Sequence, residues 1–352
     1  MKGIVLAGGK GSRLRPFTYS GAKQLVPIAN TPVLHFPIRQ LVEAGIREIA
    51  LVVGETEAQV REAMGDGAAF GARFVYVRQE APLGIAHGVL VCREFVGEEP
   101  FVLYLGDNVL MGGVAGFVER FARSGADGAV ILREVGDPRA FGVARMAGER
   151  LVEVVEKPAV PPSNLAVIGV YAFRPVVFEV IAGLRPSARG ELEIADAING
   201  LLARGCRIEV EVTPQEWIDT GKMEDILAAN RLLLGALERR IAPGARVVGS
   251  AIAGAVVIEE GAVVEGCEVV GPAVVGRGAR LVGSRIGPNV AVGDECLVVN
   301  SRLEEAIVMA RSEVVDCPGI VRSMLGRYVR VEGAPAGARL TLGDHSRVEP
   351  GP

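Results

Sequence analysis

The sequence predicts an α/β domain built around a mostly parallel sheet, followed by a parallel β-helix. Two observations carry this prediction. Up to about residue 240, short β-branched runs alternate with helical stretches, and beyond it small aliphatic residues recur every six positions. With 352 residues, the chain is long enough for two domains. We therefore place the first domain at residues 1–240 and the second at residues 241–352.

The first domain alternates strands and helices along its length. Two amphipathic segments, PVLHFPIRQLVEAG and EAQVREAMGDG, predict helices, and seven runs predict strands: GIVLAG, EIALVV, FVYVRQ, FVLYLGD, GAVILREV, AVIGVYAF and IEVEVT. Such alternation is typical of a parallel sheet covered on both faces, which binds ligands beyond the carboxyl ends of its strands. The glycine-rich stretch after the first strand and the GDN after FVLYL are therefore expected on the same edge.

The second domain carries a hexapeptide repeat. Its aliphatic positions form three runs separated by steps of five: Ile258, Val264 and Val270, then Val275 and Leu281, then Ile286, Val292 and Val298. This repetition is typical of a parallel β-helix, in which three hexads make one triangular coil with the aliphatic residues pointing inward. The repeat predicts about five coils, with turn adjustments at the steps of five, and LEEAIVMARSEVVDCPGIVRSMLG predicts irregular later coils.

Composition argues against several classes of partner. Apolar residues make up 49% and charged residues 23%, and a net charge of −4 gives no reason to expect nucleic acid or an anionic membrane as a partner. No apolar run reaches the roughly 18 residues of a membrane span. Met1 leads straight into glycine-rich sequence instead of an apolar leader, and the five cysteines lack CxxC spacing. We expect a cytoplasmic protein with reduced, mostly buried thiols.

The stretch LAGGKGSRLRPFT, directly after the first strand, has the composition of a phosphate-binding loop. Glycines let backbone amides approach anionic oxygens, and Arg13 and Arg15 add charge and directed donors. The alternative is a glycine-rich turn with solvated arginines. The stretch matches neither common phosphate motif, because it lacks the GK[ST] ending of a P-loop and has Leu14 where GxGxxG requires its third glycine.

The longer segment LAGGKGSRLRPFTYSGAKQLVPIANTPVL resembles the signature of the sugar-phosphate nucleotidylyltransferases. Further matching segments follow in the family's order: RQEAPLGIAHGV, YLGDN, AFGVA, EKP, SNLAVIGVY, ARGELEIADAI and EWIDTGK. The chain most resembles the long form of the glucose-1-phosphate thymidylyltransferases, and the resemblance covers nearly its whole length. It implies a Rossmann-like nucleotidyltransferase domain followed by a left-handed β-helix. It also implies transfer of a thymidylyl group from dTTP to α-D-glucose 1-phosphate, with Mg²⁺ and release of pyrophosphate.

The resemblance implies a nucleotide site in the first third of the chain. Its members are Leu6, Gly8, Gly9, Gly11, Ser12, Arg13, Gln24, Gln79 and Gly84. Arg13 and Lys23 are expected to contact the triphosphate, and with Asp107 they form the expected catalytic set. The two glutamine amides can both donate and accept at a pyrimidine edge but cannot sense the thymine methyl, so we expect UTP to be used as well. A solvated helix flank is the alternative for Lys23.

Two aspartates are candidates for holding Mg²⁺. Asp107 follows a predicted strand in GDN, and Asp219 lies in WIDTG. Hard carboxylate oxygens suit Mg²⁺, which takes one or two of them together with phosphates and water. Taken alone, Asp107 fits a turn or helix cap equally well, and the Asp-Thr-Gly around Asp219 is ordinary turn chemistry. The resemblance is what favours metal binding.

The resemblance also implies a sugar-phosphate site, comprising Gly142, Glu156, Lys157, Val167 and Arg189. Glu156 is expected to contact sugar hydroxyls, and Lys157 and Arg189 the sugar phosphate. A surface ion pair is the alternative for Glu156 and Lys157.

Three other residues are judged separately from these sites. Trp217 fits a pocket wall or a core position. His35 lies in an apolar helix pattern and is interpreted as packing, and His87 is not needed for the implied mechanism. Residues 241–342 contain no histidine, which disfavours acetyl transfer by the β-helix because such sites usually use a histidine base.

Three alternatives remain open. The first is a UTP-dependent uridylyltransferase acting on N-acetylglucosamine 1-phosphate or glucose 1-phosphate. The second adds acetyl transfer to that activity. The third is a non-enzymatic relative, which the retained charged residues disfavour. We expect a homo-oligomer whose partners are dTTP, with UTP as a second nucleotide, and glucose 1-phosphate.

Overall fold

A computed structural model describes residues 1–350 as two compact units. The first unit comprises residues 1–10 and 34–217, and the second comprises residues 11–33 together with the chain from Ile218 onward. The second unit thus takes an early segment of the chain as well as the repeat region. The boundary predicted after residue 240 describes sequence order alone and stays a prediction.

Helices and strands alternate in the first two thirds of the chain, as predicted. The strands are β1 (Lys2–Leu6), β2 (Pro27–Ile28), β3 (Thr31–Pro32), β4 (Glu48–Val53), β5 (Arg73–Arg78), β6 (Phe101–Leu105), β7 (Asn108–Leu110), β8 (Gly128–Glu134), β9 (Gly142–Ala147), β10 (Arg150–Glu156), β11 (Leu165–Phe173), β12 (Ile208–Val212) and β13 (Trp217–Asp219). The helices are α1 (His35–Glu43), α2 (Glu57–Met64), α3 (Ile85–Leu90), α4 (Arg93–Val96), α5 (Ala115–Ser124), α6 (Val176–Ala182), α7 (Ile194–Ala203) and α8 (Met223–Gly235). All seven predicted strands are present.

A nine-stranded sheet forms the centre of the first unit. Its main order is β10-β9-β11-β6-β1-β4-β5, with β8 also paired to β11 and β12 paired to β8. Strands β6, β1, β4 and β5 run parallel, and β12 is parallel to β8, whereas β11 is antiparallel to its neighbours β6, β8 and β9. This mixed sheet confirms the predicted α/β fold. The antiparallel hairpin of β9 and β10 was not among the predicted strands.

The core of this unit lies between the sheet and the helices. Phe101 on β6 stacks on Phe178 of α6, with ring centroids 5.5 Å apart. Helix α5 buries Phe117 and Phe121, four residues apart on one face. Strand β4 is a continuous apolar run because it is buried on both faces of the sheet, and only its first residue is exposed.

The C-terminal part of the second unit is a parallel β-helix. Its strands are β14 (Arg240–Ile241), β15 (Arg246–Val248), β16 (Ala251–Ala253), β17 (Val256–Ile258), β18 (Val263–Glu265), β19 (Glu268–Val270), β20 (Ala273–Val275), β21 (Arg280–Val282), β22 (Arg285–Ile286), β23 (Val290–Val292), β24 (Leu297–Val299), β25 (Arg302–Val308), β26 (Glu313–Val315), β27 (Ile320–Leu325), β28 (Arg330–Glu332), β29 (Thr341–Leu342) and β30 (Arg347–Val348). They stack as parallel ladders in a ten-stranded and a seven-stranded sheet, which confirms the predicted β-helical domain.

Successive coils are related by a shorter step than three full hexads. Residues stacked in neighbouring coils, such as Ser250 and Cys267, are 17 positions apart. Each coil therefore contains two steps of six residues and one of the predicted steps of five. The seven-stranded ladder also extends beyond the predicted five coils, because the irregular segments after residue 300 stack with the others.

The inside of the β-helix is apolar apart from buried serines. Val264, Leu281 and Val298 are fully buried in successive coils. Beside them, Ser284 Oγ accepts a hydrogen bond from the backbone N–H of Ser301 at 3.0 Å, and the same contact recurs in other coils. These serines satisfy backbone groups that would otherwise be buried without a partner.

Two further sequence expectations are answered by the fold. All five cysteines are unpaired, and four of them, all but Cys206, are buried. Within residues 1–350, no helix has the length and apolar character needed to cross a bilayer.

Candidate active site

In the first unit, the loops that follow four parallel strands lie at one edge of the sheet. Leu6 at the end of β1 is paired with Val52 of β4 and with Leu105 of β6, and Val53 is paired with Arg78 at the end of β5. Gly8, Gln79 and Asp107 come within two residues of the ends of β1, β5 and β6. The predicted shared edge is therefore present, and it carries three of the predicted site residues.

Glycine is required where two of these loops approach each other. A methyl group added at Gly54 would lie 2.9 Å from the carbonyl oxygen of Gly8. One added at Gly106 would lie 2.5 Å from the carbonyl oxygen of Leu6. The loops after β1, β4 and β6 thus pack backbone to backbone, while Gly9 stays exposed.

The side chain of Gln79 is held in one orientation. Its Nε2 donates to the carbonyl oxygen of Gly84 at 3.1 Å and lies 3.0 Å from Nδ1 of His87. Because a carbonyl can only accept, the amide nitrogen must face Gly84, and Oε1 is directed away from it. Gly84 itself has φ of 100°, and a methyl group there would lie 2.5 Å from the carbonyl oxygen of Leu192. His87, judged unnecessary from sequence, thus contacts a predicted base-reading residue.

A hydrogen-bonded chain of side chains connects Trp217 to Asp107. The indole Nε1 of Trp217 donates to Oδ1 of Asn108 at 2.7 Å, and Nδ2 of Asn108 donates to Oδ1 of Asp107 at 3.0 Å. Asn108 is buried, with a relative exposure of 2%. Trp217 is fixed in turn by an edge contact with Phe141, with centroids 5.0 Å apart. Asn108 and Trp217 therefore orient the aspartate, a role that the sequence alone did not reveal.

Four of the five predicted sugar-phosphate residues are adjacent. Glu156 on β10 is paired with Gly142 on β9, and a methyl group at Gly142 would lie 3.3 Å from Oε2 of Glu156 and 3.9 Å from Cβ of Val167. The ammonium of Lys157 lies 3.3 Å from Oε1 of Glu156. Lys157 has a positive φ of 42°, and its backbone N–H donates to the carbonyl oxygen of Phe141, which ties the two segments together.

Arg189, the fifth predicted residue, is surrounded by carboxylates. Its Nη2 donates to Oε2 of Glu193 at 2.8 Å and lies 3.3 Å from carboxylate oxygens of both Glu156 and Glu191. Glu193 is buried and also accepts a hydrogen bond from the hydroxyl of Ser187. In this structure Arg189 therefore neutralises acidic side chains, and its predicted contact with a sugar phosphate would replace one of them.

The second unit contains the rest of the segment that the sequence predicts to bind phosphate. Gly11 has φ of 60°, and a methyl group there would lie 2.8 Å from Cβ of Lys23. The hydroxyl of Thr18 donates to the carbonyl oxygen of Gly11 at 2.8 Å. Only glycine suits this position, because it combines left-handed backbone with a close side-chain contact. The turn brings Gly11 and Lys23 together, and Ser12 and Arg13 follow it in a 3-10 turn over Ser12–Leu14.

Arg13 lies close to the predicted metal ligand Asp219. A methyl group added at Gly221 would lie 3.1 Å from Nη2 of Arg13 and 3.4 Å from Oδ2 of Asp219. The absence of a side chain at Gly221 therefore leaves room for the guanidinium of Arg13 and the carboxylate of Asp219 on the same side of this residue. The prediction had named both residues without relating them to each other.

Gln24 has a buried polar atom that the described residues leave unsatisfied. The side chain is 2% exposed, and its Oε1 has no hydrogen-bond partner among residues 1–350. Lys23, next to it, is 8% exposed. A buried amide oxygen without a donor is costly unless a bound molecule supplies one, so this atom points to a ligand with an N–H or O–H group.

The carboxylates are compatible with Mg²⁺ but do not form a protein cage for it. Among the described residues, no three His, Cys, Asp or Glu side chains converge. A cation held by Asp107 or by Asp219 would take its remaining ligands from substrate oxygens and water. This is the usual arrangement for Mg²⁺, so the donor set fits that ion better than one that needs several protein ligands.

The chain is similar to known proteins over nearly its whole length. Residues 2–235 match a family model described as nucleotidyl transferase. The chain is 42% identical over 353 residues to a glucose-1-phosphate thymidylyltransferase of Streptomyces griseus, and 43% identical over 354 residues to one of Streptomyces antibioticus; each match covers 99% of both chains. A crystal structure from Bacillus anthracis, provisionally named a glucose-1-phosphate thymidylyltransferase, is 38% identical with a TM-score of 0.63, covering 66% of this chain and 94% of that one.

Proposed function

The chain belongs to the nucleotidyl transferase family, and on that premise we propose that it transfers the thymidylyl group of dTTP to α-D-glucose 1-phosphate. An oxygen of the sugar phosphate attacks the α-phosphorus, the bond to the β-phosphate oxygen breaks, and dTDP-glucose and pyrophosphate result. The substrate supplies the nucleophile. The protein therefore acts by placing two anions in line and by stabilising their charge.

The buried oxygen of Gln24 is the observation that best supports a nucleotide ligand. It lies in the same segment as Arg13 and Lys23, two cations suited to phosphate oxygens. A nucleoside triphosphate offers both partners at once, since its base and pentose carry N–H and O–H donors and its phosphates carry the charge. We assign the triphosphate to Arg13 and Lys23. The nucleotide would also contact backbone groups of five other residues: Leu6, Gly8, Gly9, Gly11 and Ser12.

Gln79 is assigned to the pyrimidine edge, supported by backbone from Gly84. Because its Nε2 is engaged by Gly84 and His87, its Oε1 is the group offered to the base. Thymine and uracil carry a donor at N3, whereas cytosine carries an acceptor there. The orientation therefore selects dTTP and UTP over CTP, and the thymine methyl adds a discrimination of at most a few kcal/mol.

The remaining roles concern the metal and the sugar. Asp107 and Asp219 would hold Mg²⁺, which when bound supplies electrostatic stabilisation of the phosphate charge. Gly142 and Val167 would contact the sugar through backbone, Glu156 would accept from its hydroxyls, and Lys157 and Arg189 would bind its phosphate. We also expect a homo-oligomer that works in the cytoplasm.

The test is pyrophosphate release with Mg²⁺ over a matrix of dTTP, UTP, CTP, ATP and GTP against glucose, galactose and N-acetylglucosamine 1-phosphates. We expect dTTP with glucose 1-phosphate to dominate, UTP to follow, and CTP to be inactive. Turnover of CTP at the rate of dTTP would contradict the assignment of Gln79. Dominance of UTP with N-acetylglucosamine 1-phosphate would instead favour the uridylyltransferase alternative, and an acetyl-CoA assay would then test the β-helix, which lacks histidine over residues 241–342.

A further inference from the structure

The segment of residues 11–33, here called the signature segment, is attached to the β-helix at the tip of a short hairpin. Strands β2 and β3 pair across Ala29 and Asn30, which have positive φ angles of 47° and 60°. The side-chain Nδ2 of Asn30 donates to the carbonyl oxygen of Val292, at the end of β23, at 2.7 Å. The hairpin tip is thus bonded directly to one coil.

A buried asparagine strengthens this attachment. Asn230 of α8 is 1% exposed. Its Oδ1 accepts from the backbone N–H of Ala29 at 2.8 Å, and its Nδ2 donates to the carbonyl oxygen of Asn289 at 3.3 Å. One amide therefore satisfies a backbone donor of the hairpin and a backbone acceptor of the β-helix, two groups that burial would otherwise penalise.

The signature segment has a second attachment ten residues earlier. The hydroxyl of Ser20 donates to Oδ2 of Asp344 at 2.8 Å. Pro16 packs on Gly343, where an added methyl group would lie 3.0 Å from Cβ of Pro16. Lys23 lies between Ser20 and the hairpin, so the β-helix holds the chain on both sides of it.

We propose that the β-helix is a positioning platform for the nucleotide-binding segment, with Asn230 and Asn30 as its positioning residues. The segment has little regular structure of its own, only three 3-10 turns and a hairpin with two-residue strands. External contacts must therefore fix its backbone, and a preorganised backbone lowers the entropic cost of binding a triphosphate. The nucleotide role of the segment rests on the proposed function, whereas its attachment does not.

The test compares full-length Asn230→Ala and Asn30→Gly with Asn300→Gly. Glycine retains the positive φ of Asn30 and removes only its amide. Asn300 is a matched control, because it is a β-helix asparagine with a φ of 46° whose amide bonds to Asp316 within the β-helix. Amide hydrogen exchange of residues 11–33, without nucleotide, reports the attachment independently of activity. The KM values for dTTP and for glucose 1-phosphate report its effect on binding.

We expect both attachment variants to exchange about tenfold faster over residues 11–33 and to raise the KM for dTTP about tenfold, as loss of one or two buried hydrogen bonds would. The KM for glucose 1-phosphate and the exchange of β1 and β4 should change less than about twofold, and Asn300→Gly should change neither quantity. Unchanged exchange in residues 11–33, or an equal increase throughout the chain, would overturn the platform. If the wild type does not use dTTP, the proposed function fails, and the exchange data alone still decide whether the platform exists.

Discussion

At the scale of single residues, the site relies on side chains that hold other side chains. Asp107 contacts Asn108, which contacts Trp217, and Gln79 is oriented by Gly84 and His87. Such supporting contacts matter because a metal-binding or base-contacting side chain that is displaced loses much of its effect on the bound substrate. The first two predictions concern Asp107 and Trp217, which are both hydrogen-bonded to Asn108.

Replacing Asp107 by asparagine should nearly abolish turnover while leaving the fold intact. Asparagine has the same shape but neither the charge nor the two equivalent oxygens that Mg²⁺ prefers. We expect a loss of at least about a hundredfold in kcat, with an unchanged melting temperature. Asp66→Asn is the control, since Asp66 accepts a bond from the backbone of Ala68 in an exposed loop. Near-normal turnover of Asp107→Asn would remove this residue from the metal site.

Replacing Trp217 by phenylalanine should weaken the same site indirectly. Phenylalanine keeps a ring against Phe141 but lacks the N–H that bonds to Asn108. Loss of such an outer contact costs about 10- to 100-fold in metal affinity or activity, so the Mg²⁺ concentration for half-maximal rate should rise. Phe141→Leu, which disturbs packing and leaves the donor in place, should shift that concentration much less. Equal effects of both variants would mean that Trp217 acts by packing alone.

At the scale of elements, α1 contains a histidine that is unfavourable to protonate. The ring of His35 packs edge-on against Phe70, with centroids 4.9 Å apart, and its Nδ1 is buried without a hydrogen-bond partner among the described residues. Burial, assisted by the nearby charge of Arg39, lowers the pKa of His35 from 6.5 to about 4. The sequence interpretation of His35 as packing agrees with this environment.

Acid should therefore destabilise the protein partly through His35. The unfolded chain takes up the proton near pH 6.5 and the native chain only near pH 4, so this stability is complete above pH 6.5 and is lost as the pH falls towards 4. Between pH 6.5 and 4.5, the unfolding free energy of His35→Phe should fall less steeply with decreasing pH than that of the wild type. The difference in slope should correspond to the uptake of up to about one proton on unfolding. Urea unfolding at several pH values measures it. Identical slopes in both proteins would show that His35 does not titrate in this way.

Regular elements were predictable where local pattern decides them, and other features were not. The β-branched runs identified β4 and β11, and the six-residue period identified the β-helix. Strand β9 escaped because GVARMA has few β-branched residues and is stabilised by pairing with β10. The bond between Trp217 and Asn108 joins residues 109 positions apart, and no local pattern encodes such a contact. The sequence motifs drew attention to Asp107 and Trp217 but not to Asn108, which joins them.

At the scale of the whole molecule, the division into units could not have been foreseen. The signature segment belongs with the β-helix because of contacts such as Asn30 to Val292, which are 262 positions apart. Sequence order instead suggested that it belonged with the strands that surround it in the chain.

The reactivity of the cysteine thiols reports local unfolding in each of the two units. Burial raises the pKa of Cys92 to about 12, and desolvation likewise raises that of Cys296 to about 11, so neither forms a reactive thiolate in the native state. We expect a thiol reagent to modify only Cys206 in the native protein and the other four cysteines after unfolding in denaturant. Cys206→Ser should abolish native labelling. Rapid native modification of Cys267 or Cys317 would indicate that the β-helix opens locally.

The attachment of the signature segment has a consequence for the length of the β-helix. From Val292 the ladder runs through Val308 and Leu325 to Leu342, close to the contact of Asp344 with Ser20. The anchored span covers three rungs, about 14 Å at the usual strand spacing. Inserting or deleting a coil there would lengthen or shorten the distance between the two anchors by about 5 Å. Adding or removing a 17-residue coil before Pro288 would leave the distance between these two anchors unchanged, whereas the number of later coils is fixed by the segment that they support.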